Sequence, residues 1–307
     1  MIKSFKIFAI LFTGVILLSS CDRDIPVEQL KEKYLKKNSA FIDIDGVPVH
    51  YIIEGRMDDT LPIVLIHGTS ASLHTWDTLS SLLKTNKKII RFDLPAFGLT
   101  GPNRLNQYNF NFYNQFLDQF LSKLNVTQCI VAGNSLGGSI AWNYAIASPN
   151  RVKQLILLDA SGYPKKDEKG SLGFKLAGIP VLNQALKHIS PISLIRKSLE
   201  DAFYNKSLVT EKMVHQYHDL LLREGNRAAV LELFQHPMKP DPSKIKTITQ
   251  PTLIIWGKQD QLISFNNAAL FKQDIQNSKM LVLDKVGHIP MEEAPNQVAT
   301  AILEFIM

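Results

Sequence analysis

A few positions in this chain carry residue types and spacings that could do chemistry. Ser135 lies in Gly133-Asn134-Ser135-Leu136-Gly137-Gly138, after the apolar run Ile130 to Ala132 and before a stretch suited to a helix. A chain turning sharply from strand into helix strains its tip residue. Neighbours without side chains let strand and helix close up around it, and the serine hydroxyl then stands proud of the sheet. The N–H of Leu136 would sit at the start of the helix, where developing negative charge is stabilised. Five residues of pattern also fit a plain turn without chemistry, so the question is whether a base and an orienting acid exist elsewhere. His288 lies in Gly287-His288-Ile289-Pro290, between the last strand-like run (Lys279 to Leu283) and a final helical stretch from Glu292 to Ile306. Asp260 lies just past the apolar run Pro251 to Trp256. Serine, histidine and aspartate in such roles give a nucleophile, a proton carrier and a group that fixes the tautomer.

These side chains need a scaffold, and the pattern supplies one. Phe41 to Asp45 and Val47 to Glu54 alternate around Asp45-Gly46, which predicts a hairpin. Short continuous apolar runs at Pro62–Ile66, Lys88–Phe92, Ile130–Ala132, Val152–Leu158 and Pro251–Trp256 suit strands buried on both faces of a parallel sheet. Helical stretches lie between them. One carries Phe112, Phe116, Phe120 and Leu124 at every fourth position. The alternation implies an α/β chain with right-handed crossovers. It breaks between Ser161 and Lys246, where helical stretches begin at Ser190-Pro191 and near Thr210 and Asn226 and no buried strand is legible. Both Asp260 and His288 fall in loops at the C-terminal ends of strands, where ligands bind in open α/β sheets.

The segments HGTSAS at 67–72, DLPAFG at 93–98, GNSLGG at 133–138, WGKQD at 256–260 and GHIPMEEAP at 287–295 occur in this order. From about Phe41 to the end the chain closely resembles the alpha/beta-hydrolase fold family. The resemblance implies a mostly parallel central sheet with helices on both faces, formed by residues 41–160 and 247–307, and a helical cap at 161–246. It implies that Ser135 attacks a carbonyl, that His288 takes and returns its proton, and that Asp260 orients and stabilises the imidazolium. The backbone N–H groups of Leu136 and Thr69 would form the oxyanion hole. Many relatives have Gly and His where this chain has Ala96 and Phe97, in a loop that borders the fold rather than the reaction. A serine rather than an aspartate nucleophile points to ester, thioester, lactone or amide hydrolysis through an acyl-enzyme, and an apolar cap predicts a small-molecule ester with a small or medium acyl group. Asn134 before the serine resembles enzymes that hydrolyse carbon–carbon bonds of ring-cleavage diketones, although those usually have tryptophan where this chain has Ile289. Other family members are non-catalytic binding proteins, often with damaged triads; here all three positions are filled. No metal or organic cofactor is implied.

The chain's start has a separate meaning. Met1 to Lys6 carries two lysines and no acid, and Ile7 to Leu18 is almost unbroken apolar sequence, too short for the roughly twenty residues that span a bilayer. This is the pattern of a secretory leader, residues 1–20. Leu18-Ser19-Ser20-Cys21 resembles the bacterial lipobox, which implies cleavage before Cys21, acylation of Cys21 and residence in a bacterial cell envelope, on the periplasmic side. Residues 21–40 read as a tether or short surface helix.

Remaining candidates have plainer readings. The chain has 307 residues, 45% of them hydrophobic and 20% charged, as in a globular protein. Its formal charge of +6, lower without Lys3 and Lys6, comes with no basic–aromatic cluster for nucleic acid. His67 before Gly68 reads as a structural hydrogen-bonding group. Asp159, at the end of Val152–Leu158, is the rival to Asp260. His215 and His218 lack a third metal ligand, Trp76 reads as packing, and Cys129 as a small core hydrophobe.

Overall fold

The structure, a computed structural model, describes residues 23–164 and 189–307. The expected leader (residues 1–20), Cys21 and residues 165–188 of the expected cap lie outside the described residues.

The sheet has eight strands in the order β1-β2-β4-β3-β5-β6-β7-β8: β1 Ser39–Ile44, β2 Val47–Gly55, β3 Ile63–Ile66, β4 Lys88–Phe92, β5 Cys129–Asn134, β6 Val152–Leu158, β7 Thr252–Gly257 and β8 Ser278–Leu283. The first two pairings are antiparallel and all others parallel. The hairpin expected at Asp45-Gly46 forms, with both residues at positive φ (53° and 76°), the backbone that a tight turn between twisted strands requires. Strands β3, β5 and β7 are buried throughout, which explains their unbroken apolar runs.

Helices cover both faces. On one lie α3 (Phe110–Lys123), α4 (Leu136–Ala147) and α8 (Asn266–Asp274), contributing Phe116, Phe120, Trp142 and Phe271 to one core. On the other, Trp76 and helices α2 (Asp77–Leu83) and α10 (Pro295–Ile306) pack with Ile63, Ile130 and Ile255. The stripe of α3 differs slightly from its four-residue reading. Tyr113, Phe116, Leu117, Phe120 and Leu121 are the buried positions, because 3.6 residues per turn rotates a strict four-residue row off the core. The expected last helix is broken: α9 (Pro290–Glu293) stops before α10. Pro295 disfavours helical backbone at the residue before it, and Ala294 sits at φ −135°, ψ 48°.

Above the C-terminal edge stand α5 (Ile192–Ala202), α6 (Glu211–Leu221) and α7 (Asn226–Gln235). The Thr210 hydroxyl caps α6 by accepting from Met213 N at 3.2 Å. A short N-terminal helix, α1 (Val27–Tyr34), braces this layer. Leu30 is buried with Leu99 and Leu220, the Asp24 carboxylate pairs with Arg227 at 2.6 Å, and Ile25 N donates to the Leu222 carbonyl at 2.7 Å. Among the described residues no helix is long and apolar enough to cross a membrane.

Candidate active site

Ser135 is the turn between β5 and α4. Its backbone is at φ 56°, ψ −117°, a conformation that L residues adopt only when the surroundings enforce it. The glycines do the enforcing. A Cβ on Gly133 would lie 2.2 Å from the Gly137 carbonyl oxygen, and one on Gly137 would lie 2.2 Å from that of Ile66. Any side chain at either position would therefore push the helix off the strands. Leu136 is the first residue of α4, so its N–H belongs to the first turn, which has no intrahelical partner. Thr69, on the loop after β3, lines the same clefts as Ser135 and His288.

The two partners expected from the sequence meet. His288 Nδ1 lies 2.8 Å from Asp260 Oδ2. The other oxygen of Asp260 accepts from Leu262 N at 2.7 Å and Ile263 N at 3.0 Å. A carboxylate held so on one side and acceptor-only on the other makes the imidazole the donor, which puts the second proton-binding nitrogen, Nε2, toward the cleft. Asn134 holds the His288 backbone from behind. Its Nδ2 donates to the carbonyls of Leu158 at 3.1 Å and His288 at 3.0 Å.

Asp159 is close by. One oxygen each of Asp159 and Asp260 and a ring nitrogen of His288 lie within 4.8 Å of one another. Asp159 itself accepts from Gly257 N at 3.0 Å. Burial, and then the Asp260 charge, push its carboxyl well above the ordinary range, which favours the protonated form of Asp159. An acid that favours its protonated form and a carboxylate already engaged by two N–H groups and an imidazole suit a triad better than a cation.

His67 is scaffolding, as its position before Gly68 suggests. Its Nδ1 donates to the Gly68 carbonyl at 2.8 Å and its Nε2 accepts from Leu94 N at 2.9 Å. Burial lowers its pKa, and Phe97 packs against it edge-on at 5.6 Å. Ala96 takes φ 89°, which accounts for the glycine that many relatives have there. His218 donates from Nε2 to the Ser190 carbonyl at 2.8 Å. Burial pushes the Cys129 thiol up to about 12, and Trp76 is fully buried.

Sequence reasoning missed a second serine–histidine–aspartate set. Ser39 Oγ lies 2.8 Å from His50 Nε2, and His50 Nδ1 lies 2.8 Å from Asp93 Oδ2. Burial works to raise the Asp93 pKa, but the His50 charge and hydrogen bond prevail and hold it at about 2. Asp93 also accepts from Leu73 N at 2.7 Å and Leu99 N at 2.8 Å. This set ties β1 and β2 to the loop after β4. Neither Ser39 nor His50 lines the clefts beside Ser135, the Ser39 N–H is spent on the Lys36 carbonyl at 2.9 Å, and the Ser39 hydroxyl accepts from Lys36 N at 3.0 Å.

Three adjoining clefts share Thr69 and Leu262. Two of them, of about 140 and 50 Å³, contain both Ser135 and His288. The third, of about 150 Å³, lies under the cap and is lined among the described residues mainly by apolar side chains, including Leu194, Leu199, Val230, Phe234 and Ile289.

Two acids of the GHIPMEEAP segment, Glu292 and Glu293, carry roles that sequence reasoning also missed. Glu292 accepts from the Thr75 hydroxyl and, at 3.0 Å, from the Tyr217 hydroxyl of α6. Burial pushes its carboxyl up to about 7.

Comparison with known proteins bears out the fold. A model of the alpha/beta hydrolase family matches residues 63–301. The chain is 28% identical over 267 residues to the hydrolase YugF of Bacillus subtilis strain 168, covering 86% of this chain and 96% of that one. It is 26% identical over 266 residues to the human monoacylglycerol lipase ABHD6, covering 83% and 78%. The solved structure of a meta-cleavage product hydrolase from Pseudomonas fluorescens IP01 superposes with a TM-score of 0.75 at 22% identity, covering 87% of this chain and 96% of that one.

Proposed function

Since the chain belongs to the alpha/beta hydrolase family, we propose that it is a serine hydrolase that cleaves a carboxylic ester through Ser135, His288 and Asp260. His288 Nε2 takes the Ser135 proton as Oγ attacks the acyl carbon. The charge that develops on the carbonyl oxygen falls to the N–H groups of Leu136 and Thr69. His288 returns the proton to the leaving alcohol, then activates the water that opens the acyl-enzyme. The observation that carries this reading is the 2.8 Å bond from the His288 imidazole to the Asp260 carboxylate, made by a residue that lines one cleft together with the strained Ser135.

The apolar chamber under the cap would take the acyl group, because burying each methylene there is worth about 0.8 kcal/mol. The name of the human relative, a monoacylglycerol lipase, accords with an ester of one acyl chain. A fluorophosphonate probe followed by peptide mapping tests the reading. Labelling at Ser135 that disappears in His288→Ala is the expected result; an unlabelled, folded protein would return the weight to a ligand-binding role.

Carbon–carbon bond hydrolysis is the second reading. Asn134 favours it, since residue type and position resemble enzymes of that chemistry. Against it, the Asn134 amide already serves two backbone carbonyls, and Ile289 replaces the usual tryptophan. Turnover of a vinylogous diketone with little on simple esters would reverse the order.

The protein is further proposed to be held in a bacterial cell envelope by acyl chains on Cys21, on the strength of the Leu18-Ser19-Ser20-Cys21 pattern. Two or three chains suffice for stable anchoring where one does not. Mass analysis of the mature N-terminus, and release of Cys21→Ala from membranes, decide this.

A further inference from the structure

The loop that carries the base is bonded directly to the cap. His288 N donates to the Ala202 carbonyl, at the end of α5, at 2.7 Å. Gly287 packs on the same cap backbone. A Cβ there would lie 2.3 Å from Ala202 O and 2.7 Å from Tyr204 N, while on the other side a Cβ on Gly257 would lie 1.9 Å from Gly287 O. The 287–288 backbone is thus wedged between the end of β7 and the cap, with no slack for any residue but glycine at 287.

One carboxylate closes this junction. Glu293 Oε2 accepts from Gly287 N at 2.7 Å and from Tyr204 N at 3.2 Å, and its Oε1 accepts from Asn205 N at 2.6 Å. Two of the donors are cap backbone; the third belongs to the residue before the base. Hydrogen bonds to a charged acceptor are shorter and stronger than neutral ones, and a carboxylate is the one side-chain group that can accept on both oxygens here without presenting a hydrogen.

We propose that Glu293 is a positioning residue through which the cap segment 202–205 sets the backbone of His288, so that the imidazole is aligned between Asp260 and Ser135 only while cap and core are joined. The inference rests on the reading of His288 as the base. Cap closure and assembly of the triad are then one event. A substrate that seats the cap also tightens the base, and binding energy from the acyl chamber is spent on chemistry rather than on affinity.

The test is Glu293→Gln in the full-length protein. The amide has nearly the same shape but only one acceptor oxygen, and its NH2 must face an N–H on one side. With p-nitrophenyl butyrate, kcat is expected to fall roughly ten- to thirty-fold while KM stays within about threefold. The low-field imidazole proton of the Nδ1–H bond to Asp260, read by NMR, is expected to shift or broaden. Glu293→Asp, which keeps both acceptors on a shorter arm, should fall between wild type and Glu293→Gln, and it decides the matter should the amide variant fail to fold. Wild-type kcat with an unmoved resonance in either folded variant overturns the proposal and leaves Glu293 a structural staple. Failure of the catalytic reading itself looks different: wild-type protein would neither turn over nor label at Ser135, and the resonance in wild type and Glu293→Gln would still decide whether Glu293 orients His288.

Discussion

The side-chain amide of Asn134 donates to the backbone carbonyl of His288 at 3.0 Å, so the residue just before Ser135 holds the loop that carries His288. Those two residues lie far apart in sequence, and the bond is buried. Replacing Asn134 with Ala would take from the His288 carbonyl its amide donor, whereas the Leu158 carbonyl keeps the Ser135 N–H at 3.1 Å; leaving one buried carbonyl unsatisfied costs about 1–3 kcal/mol. Asn134→Ala is expected to lower the thermal midpoint and to reduce kcat on p-nitrophenyl butyrate by about tenfold. Asn134→Asp, which brings an acceptor against two acceptors, is expected to be worse on both measures. An aspartate variant as good as wild type would mean that the Asn134 amide does not donate to these carbonyls.

The two acids at the ends of β6 and β7 should separate sharply. Asp260→Asn leaves His288 Nδ1 without its carboxylate and is expected to reduce kcat by about 10³-fold or more. Asp159→Asn keeps an acceptor for Gly257 N and replaces a carboxyl whose charged form burial disfavours, so activity within about threefold of wild type is expected. The double variant should be no worse than Asp260→Asn alone. A large loss in Asp159→Asn would make it the acid that serves the base.

How far these roles could be read from sequence depends on what kind of contact fixes them. The strands and the hairpin were legible because burial on two faces and a positive-φ turn each leave a local mark, as at Ile63–Ile66 and Asp45-Gly46. Ser135, Asp260 and His288 were legible because turn glycines and strand ends frame them. Asn134, Glu292 and Glu293 were visible as letters but not as roles, since their partners lie on distant segments and include backbone atoms, which a sequence does not single out. The set Ser39, His50 and Asp93 left no local mark at all: only the antiparallel pairing of β1 with β2 and of β2 with β4 brings it together. The break at Ala294 was legible in principle from Pro295.

Burial raises the Glu292 carboxyl from its ordinary value of 4.5 to about 7, and this fixes the sign of one pH effect on stability. Between those values the folded protein binds the proton that the unfolded chain has released. Folding is therefore linked to proton uptake, and stability falls as pH rises through that window, then levels above about 7. Glu292→Gln keeps an acceptor for Thr75 and Tyr217 and cannot titrate. Urea midpoints measured at pH 5 and pH 8 should therefore differ less in Glu292→Gln than in wild type, with the gain of the variant appearing at pH 8. An equal pH dependence in the two proteins would show that Glu292 titrates normally.

The apolar chamber predicts a length-dependent effect that a general loss of activity would not give. Val230 and Phe234 lie one turn apart on α7, and both line the space beside Thr69 and Ile289. Val230→Trp would fill part of that space from the cap side without touching Ser135, His288 or Asp260. Short acyl groups that do not reach the chamber should be hydrolysed nearly as before. Each methylene denied burial costs about 0.8 kcal/mol, so losing contact with two of them lowers kcat/KM about tenfold. The expected result is an acetate-to-octanoate ratio of kcat/KM that rises by about that factor in Val230→Trp, measured with p-nitrophenyl esters of increasing length. A uniform drop across all lengths would mean that the substitution disturbs the joined cap and base instead. An unchanged ratio would mean that the acyl chain lies in one of the two smaller clefts.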